Sequence, residues 1–334
     1  MKILAIETSC DDTGIAILEA SKKGDFSVLS NMVASQIELG KKYGGVYPMM
    51  AKRAHEKNLL PTLKTALNKA KTSLENINLI AVTNGPGLEP CLWTGINFAK
   101  DLSKKYNIPI VPVNHIEGHI LVNFLDKKDI KFPVIALVVS GGHTQIILVK
   151  KIGKYEILGE TRDDAAGECF DKCAKILGLG YPGGPIVAEL AKKSKPGKIT
   201  LPRPMMHTKD YDFSFSGLKT AVLYKDRDTK TKNKNYKQDM AAEIQQAIID
   251  VLLKKTIKAV KDYKAKTLIL GGGVSANAEL RGQFTEASNI PVIFPDANLS
   301  TDNGLMIAIA GFYNKKGAMS DIAQLRAGGN LRID

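Results

Sequence analysis

Apolar positions follow two rhythms along the chain, and the order in which they alternate occurs twice. Lys2–Glu7 is a strand pattern, Thr8-Ser9-Cys10-Asp11-Asp12-Thr13-Gly14 a polar turn, and 15–18 a second strand. Val134–Val139 is again a strand, Ser140-Gly141-Gly142-His143-Thr144 a polar turn, and 145–149 a second strand. Each pair predicts a β-hairpin with a small-residue tip. The continuations match. After the first hairpin the pattern predicts a strand at 27–35, a helix at 54–71, a strand at 79–84, a helix at 92–105 and a strand at 109–113. After the second come a strand at 155–161, helices from Asp163 onward, a strand at 267–270, a helix from Ser275 and a strand at 291–294. Strands alternating with helices predict α/β sheets covered by helices. The duplication predicts two similar domains around a central cleft, a place ligands favour.

The expected division is 1–110, completed by about 303–334, and 111–302, with an insertion at about 180–236. Within the insertion and just beyond, 225–237 holds six basic and two acidic residues without an apolar period. It predicts a loop, either a solvated tip or an arm for phosphates. The segment 239–260 has the helical apolar spacing of a core helix (Ile244, Ala247, Ile248, Val251, Leu252).

Composition narrows the class. The 334 residues suit about two domains at ~150 residues each. With 44% hydrophobic and 24% charged residues, the chain can bury a core, and intrinsic disorder is excluded. The opening Met1-Lys2-Ile3-Leu4-Ala5-Ile6-Glu7 is too short and acidic for a signal peptide. No apolar run reaches the ~18 residues of a membrane span. A cytoplasmic location is the expectation. Cys10, Cys91, Cys169 and Cys173 are too few for a disulfide framework. Cys169 and Cys173 share a helix face at i, i+4, but zinc-binding pairs usually sit about two residues apart, so they read as small core residues. The net charge of +13 favours a polyanionic partner, since neutralising phosphates takes surplus Lys and Arg.

Three features carry candidate chemistry. The two hairpin tips offer backbone N–H groups and hydroxyls to an anion, and Asp11 and Asp12 in the first could hold a cation or orient a water. Leu270-Gly271-Gly272-Gly273-Val274-Ser275-Ala276-Asn277 follows a strand and opens a helix. Its glycines permit close approach and its helix start favours phosphate or the adenosine end of a nucleotide. The third feature is His115-Ile116-Glu117-Gly118-His119. Histidines at i and i+4 reach one ion from one helix face, while Glu117 lies toward the opposite side. A protease motif would place Glu directly after the first His. Asp302 is the candidate third ligand; its alternative role is a helix N-cap. Two imidazoles and a carboxylate suit one Fe(II) or Zn(II) ion with open positions for substrate. His55, His143 and His207 lack a partner at ligand spacing and read as ordinary polar contacts.

Taken in order, Ile6-Glu7-Thr8-Ser9-Cys10-Asp11-Asp12-Thr13, Gly85-Pro86-Gly87-Leu88, His115–His119, Ser140-Gly141-Gly142-His143-Thr144, Asp163-Asp164-Ala165-Ala166-Gly167-Glu168, Tyr181-Pro182-Gly183-Gly184-Pro185, Phe213-Ser214-Phe215-Ser216-Gly217-Leu218-Lys219, Gly272–Asn277 and Thr301-Asp302-Asn303-Gly304 resemble the bacterial TsaD family. The resemblance covers about residues 1–315. It implies the actin/Hsp70/sugar-kinase (ASKHA) fold. It also implies transfer of L-threonylcarbamoyl from threonylcarbamoyl-AMP to the exocyclic amine of the adenosine 3′ of the anticodon, in tRNAs reading codons that begin with A. Carried over by position, His115, His119 and Asp302 would bind one metal ion, iron. Val138, Val139, Ser140, Gly141, Gly142, Asp171, Gly184 and Asn277 would bind the adenylate. A mechanism consistent with this gives Asp11 or Asp12 the task of deprotonating the amine or ordering water. TsaB-like and TsaE-like proteins would be partners, and no membrane is implied. After Gly85-Pro86-Gly87-Leu88 this chain has Glu89-Pro90-Cys91-Leu92-Trp93 where the family usually has small residues.

Three other readings stay open on residues alone: a small-molecule kinase of the same fold, a metallopeptidase, and a nucleotide-binding scaffold without activity. The paired histidines speak against the kinase, whose Mg²⁺ prefers oxygen ligands.

Overall fold

β1 (Lys2–Glu7) is buried along nearly its whole length, as a strand must be when both of its faces are covered. In this computed structural model, which describes residues 1–126, 129–319 and 321–334, β1 pairs antiparallel with β2 (Asp12–Ala20), and β2 with β3 (Phe26–Ser35). Two helices follow, α1 (Ile37–Tyr43) and α2 (Pro48–Lys69). Then come β4 (Leu79–Gly85), α3 (Glu89–Tyr106), β5 (Ile110–Asn114) and α4 (His115–Leu121). The sheet order is β3-β2-β1-β4-β5, with β4 parallel to both β1 and β5.

The second sheet repeats this plan. β6 (Val134–Val139), β7 (Thr144–Lys151) and β8 (Lys154–Glu160) form an antiparallel run. α5 (Ala166–Ile176), α6 (Gly183–Ala191), α7 (Ser216–Asp228) and α8 (Tyr236–Asp262) follow, then β9 (Thr267–Gly271), α9 (Ala278–Ala287) and the short β10 (Val292–Ile293). The order β8-β7-β6-β9-β10 matches the first sheet strand for strand, so the predicted duplication is present. Each sheet has its own core; Leu4, Ile6, Ile15 and Val82 centre the first, and Ile135, Leu137, Ile248 and Leu270 the second.

The chain divides into two compact units, 1–130 with 297–334, and 131–296. The expected break at 110/111 falls inside the first unit, at the head of β5, whose pairing with β4 keeps it there. The first unit is completed by α10 (Gly304–Tyr313), buried from Gly304 to Phe312 and packed on β1, β2, β4, β5 and α4. Two glycines allow the approach. A Cβ on Gly14 of β2 would lie 2.6 Å from Gly304 N, and one on Gly304 would lie 2.5 Å from Ala16 N. Backbone meets backbone there, with no room for a side chain.

Three local expectations, and one alternative role, need correction. The second helix begins at Pro48, at the first helical position where its missing N–H is harmless, rather than at 54. The basic segment 225–237 is not one loop. Residues 225–228 close α7 and Tyr236 opens α8, leaving 229–235 between. The turn after β9 passes through a 3₁₀ turn (Gly273–Ala276) before α9 starts at Ala278, not at Ser275. Asp302 is not a cap, because Asn303 caps α10, its side chain accepting from Met306 N. Among the described residues no helix is long and apolar enough to cross a membrane. Cys169 and Cys173 are buried free thiols on one face of α5, 3.9 Å apart.

Candidate active site

α4 presents the two histidines. Its first residue is His115, and Asn114 caps it by accepting from the amides of Ile116 and Glu117. Both His115 and His119 are buried, and their ring centroids are 4.7 Å apart. Asp302, brought in by the start of α10, places Oδ1 3.6 Å from His115 Nε2 and 3.2 Å from His119 Nε2. Donor atoms of the three residues lie within 4.8 Å of one another. Bonds of ~2.1 Å put adjacent donors of one ion about 3–3.5 Å apart, so the set is close to that geometry. Neither nitrogen of buried His119 has a hydrogen-bond partner. Its Nε2 is near the Asp302 oxygen but not aligned with it, as expected of two donors aimed at a common third point. The described residues therefore contain a site whose chemistry fits a divalent metal.

Behind His115 sits Glu7, fully buried at the end of β1. Its carboxylate accepts from Ser9 N (2.5 Å), Thr83 Oγ1 (2.6 Å) and His115 Nδ1 (3.2 Å). Ser9 Oγ is also 3.1 Å from His115 Nδ1. A carboxylate on Nδ1 fixes the tautomer and turns Nε2 toward the ion. Burial pulls the His115 ring down, but the Asp302 and Glu7 charges outweigh it and raise its pKa to about 9. Burial pushes Glu7 up, and the attraction of His115 holds it below its usual value. The two shifts describe one ion pair.

The first hairpin tip adds two carboxylates. Burial, then the charge of Asp302, raises Asp11. Burial takes Asp12 to about 7, against a hydrogen bond from Ser35 and with help from the Asp302, Asp11 and Glu7 charges. Asp12 Oδ1 is buried without a hydrogen-bond partner. His55 is an ordinary polar contact, as expected: Nδ1 meets Thr13 Oγ1 at 2.8 Å and Nε2 meets Cys10 O at 3.0 Å, which fastens the tip.

In the second unit, Val138 and Val139 have fully buried side chains, so only their backbone is available to a ligand. Gly141 and Gly142 face open space, whereas a Cβ on Gly272 would lie 2.4 Å from Val139 O and one on Gly167 2.6 Å from Ser140 O. The second tip, the start of α5 and the turn after β9 thus converge at the carboxyl ends of β6 and β9, where open α/β sheets bind ligands. Asp171 accepts from Gly183 N at 2.6 Å and so ties α5 to the start of α6, where Gly184 lies. Asn277 caps α9 and donates to Gln245 Oε1 at 2.8 Å.

Residues 27–309 match the TsaD family, tRNA N6-adenosine threonylcarbamoyltransferase. The chain is 49% identical to the tRNA N6-adenosine threonylcarbamoyltransferase of Thermosipho africanus (strain TCF52B), covering 100% of both chains. The protein of that name from Clostridioides difficile (strain 630) is 46% identical, with 99% of this chain and 98% of that one covered. This chain belongs to the TsaD family.

The TsaD chain also resembles solved structures of low identity, which speak for fold alone. Component A of (R)-2-hydroxyglutaryl-CoA dehydratase from Acidaminococcus fermentans aligns with a TM-score of 0.58 at 15% identity, covering 95% of this chain and 99% of that one. Full-length HypF aligns at 0.58 and 12% identity, covering 94% of this chain and 46% of that one. The architecture is the two-domain α/β fold of the actin and sugar-kinase type, in a family of acyl-transferring enzymes. Sequence reasoning missed Glu7 as part of this TsaD site. The signal was present: it is the lone acid of a strand that is apolar and buried from Ile3 to Ile6, where an unpaired charge would be costly.

Proposed function

We propose that the chain moves an L-threonylcarbamoyl group from threonylcarbamoyl-AMP to N6 of the adenosine 3′ of the anticodon, in tRNAs reading codons that begin with A. The observation that carries the reading is the convergence of His115, His119 and Asp302, backed by Glu7, in a chain of this family. These three residues would hold one Fe(II) ion, Zn(II) being the alternative for the same donors. Such an ion supplies Lewis acidity to carbonyl or phosphate oxygens.

The chain's own residues do the rest. Glu7 and Ser9 orient His115. The backbone at Val138, Val139, Ser140, Gly141 and Gly142 holds the adenylate together with Gly184, Asn277 and the Asp171 bracket. N6 attacks the carbamoyl carbon, the bond from that carbon to the phosphate oxygen breaks, and AMP leaves. Asp11 or Asp12 takes the proton from N6, and a carboxylate raised toward neutrality suits a base working near pH 7. The donor is already an activated mixed anhydride, so placing the amine beside it supplies much of the rate. The net charge of +13 suits tRNA. TsaB-like and TsaE-like proteins in the cytoplasm complete the proposal.

Glu117 does not favour the metallopeptidase reading, since its Oε2 accepts from Asn314 Nδ2 at 2.5 Å on the side of α10. The deciding experiment supplies purified protein with threonylcarbamoyl-AMP and unmodified tRNA and looks for the modified nucleoside by mass. ATP consumption that tracks a small-molecule acceptor without tRNA would favour the kinase instead. Full activity in both Asp11→Ala and Asp12→Ala would remove the proton-acceptor role.

A further inference from the structure

The turn between α1 and α2 carries an unusual surface. Tyr43 and Tyr47 are 41% and 56% exposed, and their rings lie 5.5 Å apart. Two large aromatics side by side form an exposed patch, unlike a single scattered apolar residue, which needs no explanation. Gly44 and Gly45, both at positive φ, fold the chain so that both rings come to one side. They border a cleft whose lining includes Asp11 and Gln36. Gln36 is 94% buried by its 6% exposure, its Nε2 donates to Ala51 O, and its Oε1 has no hydrogen-bond partner. A buried acceptor without a donor asks for one. The surrounding segment 37–57 has five basic and two acidic residues.

We infer that this turn seats the acceptor base, with Tyr43 and Tyr47 stacking on purine faces and Gln36 accepting from the exocyclic amine of adenine. The inference rests on the reading of function given above. Aromatic rings stack on any base, and glutamine pairs with the amine edge of adenine. Together they select an adenine and hold its N6 beside Asp11. Lys42, poised 5.6 Å from the Tyr43 ring, and the exposed Arg53 and Lys57 suit the flanking phosphates. The cleft as it stands admits water rather than a base, so the two rings must part, and the paired glycines give the turn that freedom.

The test uses the full chain and an RNA hairpin with 2-aminopurine at the acceptor position. That base stacks but lacks N6, so binding is read without turnover. The parent protein should quench its fluorescence. Tyr43→Ala and Tyr47→Ala should each weaken binding about tenfold and lose most of the quench, while Tyr43→Phe and Tyr47→Phe keep both. With unmodified tRNA the alanine variants should raise KM more than they lower kcat. Leu60→Ala, another exposed apolar residue on α2, should bind like the parent. Parent-like affinity and quench in the Tyr43→Ala/Tyr47→Ala double variant would overturn the inference, and so would losing only the association with a protein partner. If the parent neither binds the hairpin nor modifies tRNA, the functional reading itself fails, which is a separate result.

Discussion

Glu7→Gln keeps the shape of the side chain and removes its charge. Its partners are all donors: the Ser9 amide, the Thr83 hydroxyl and His115 Nδ1–H. A glutamine must therefore turn an NH₂ toward one of them, and His115 loses the group that fixes its tautomer. Replacing such a carboxylate weakens metal binding by roughly 10–100-fold, or about 1.4–2.7 kcal/mol. The assay strips metal with a chelator, then titrates Zn²⁺ or Co²⁺ against a chromophoric competitor at constant pH. Thermal melts of the metal-free variant show that it folds. A folded Glu7→Gln protein with a dissociation constant within about twofold of the parent would refute the role given to Glu7.

Further expectations concern pH and packing. In metal-free protein, the raised His115 pKa makes its ion pair fully stabilising below about pH 6.5 and progressively lost as pH rises to about 9; melts across that window should show the decline. Metal affinity should rise over the same window, because the ligand is neutral imidazole. Asp12 is also raised, so its ionisation opposes folding as pH climbs from about 3.8 to about 7. Asp12→Asn should therefore raise the Tm of metal-free protein at pH 8 and leave it unchanged near pH 3.5. Gly304→Ala would drive a methyl into the backbone at Ala16, costing about 1–3 kcal/mol; denaturant melts measure the loss, and metal affinity should fall with it as Asp302 shifts.

The fold was most legible where both faces of a strand are covered. β6 begins and ends where its pattern says, after Pro133 and before Ser140-Gly141, because a six-residue apolar run rich in β-branched residues between such breakers has the length of a buried strand and not of a helix. Legibility failed where the outward face is apolar. Ile37, Tyr43, Tyr47 and Met49 are all exposed, so α1 and the start of α2 show no clean inside and outside. The same holds for the end of α7, where Leu223 and Tyr224 face water. At the site, the pairing of His115 with His119 follows from helical spacing alone. The choice between Asp302 and Asn303 as cap depends on backbone geometry that Thr-Asp-Asn-Gly does not reveal. Glu7 needed a partner from 108 residues away, which no local pattern supplies.

Asp302 reaches the histidines because α10, made after the whole second unit, packs back on a sheet whose strands all lie within residues 2–114. A ribosome therefore releases the imidazole pair long before the third donor exists, and an ion met during translation finds two of its three donors. A cut between the second unit and Asp302 would put the carboxylate and a core helix on a separate fragment. Retained metal then reports that the end of the chain has joined the first unit, which holds all three donors.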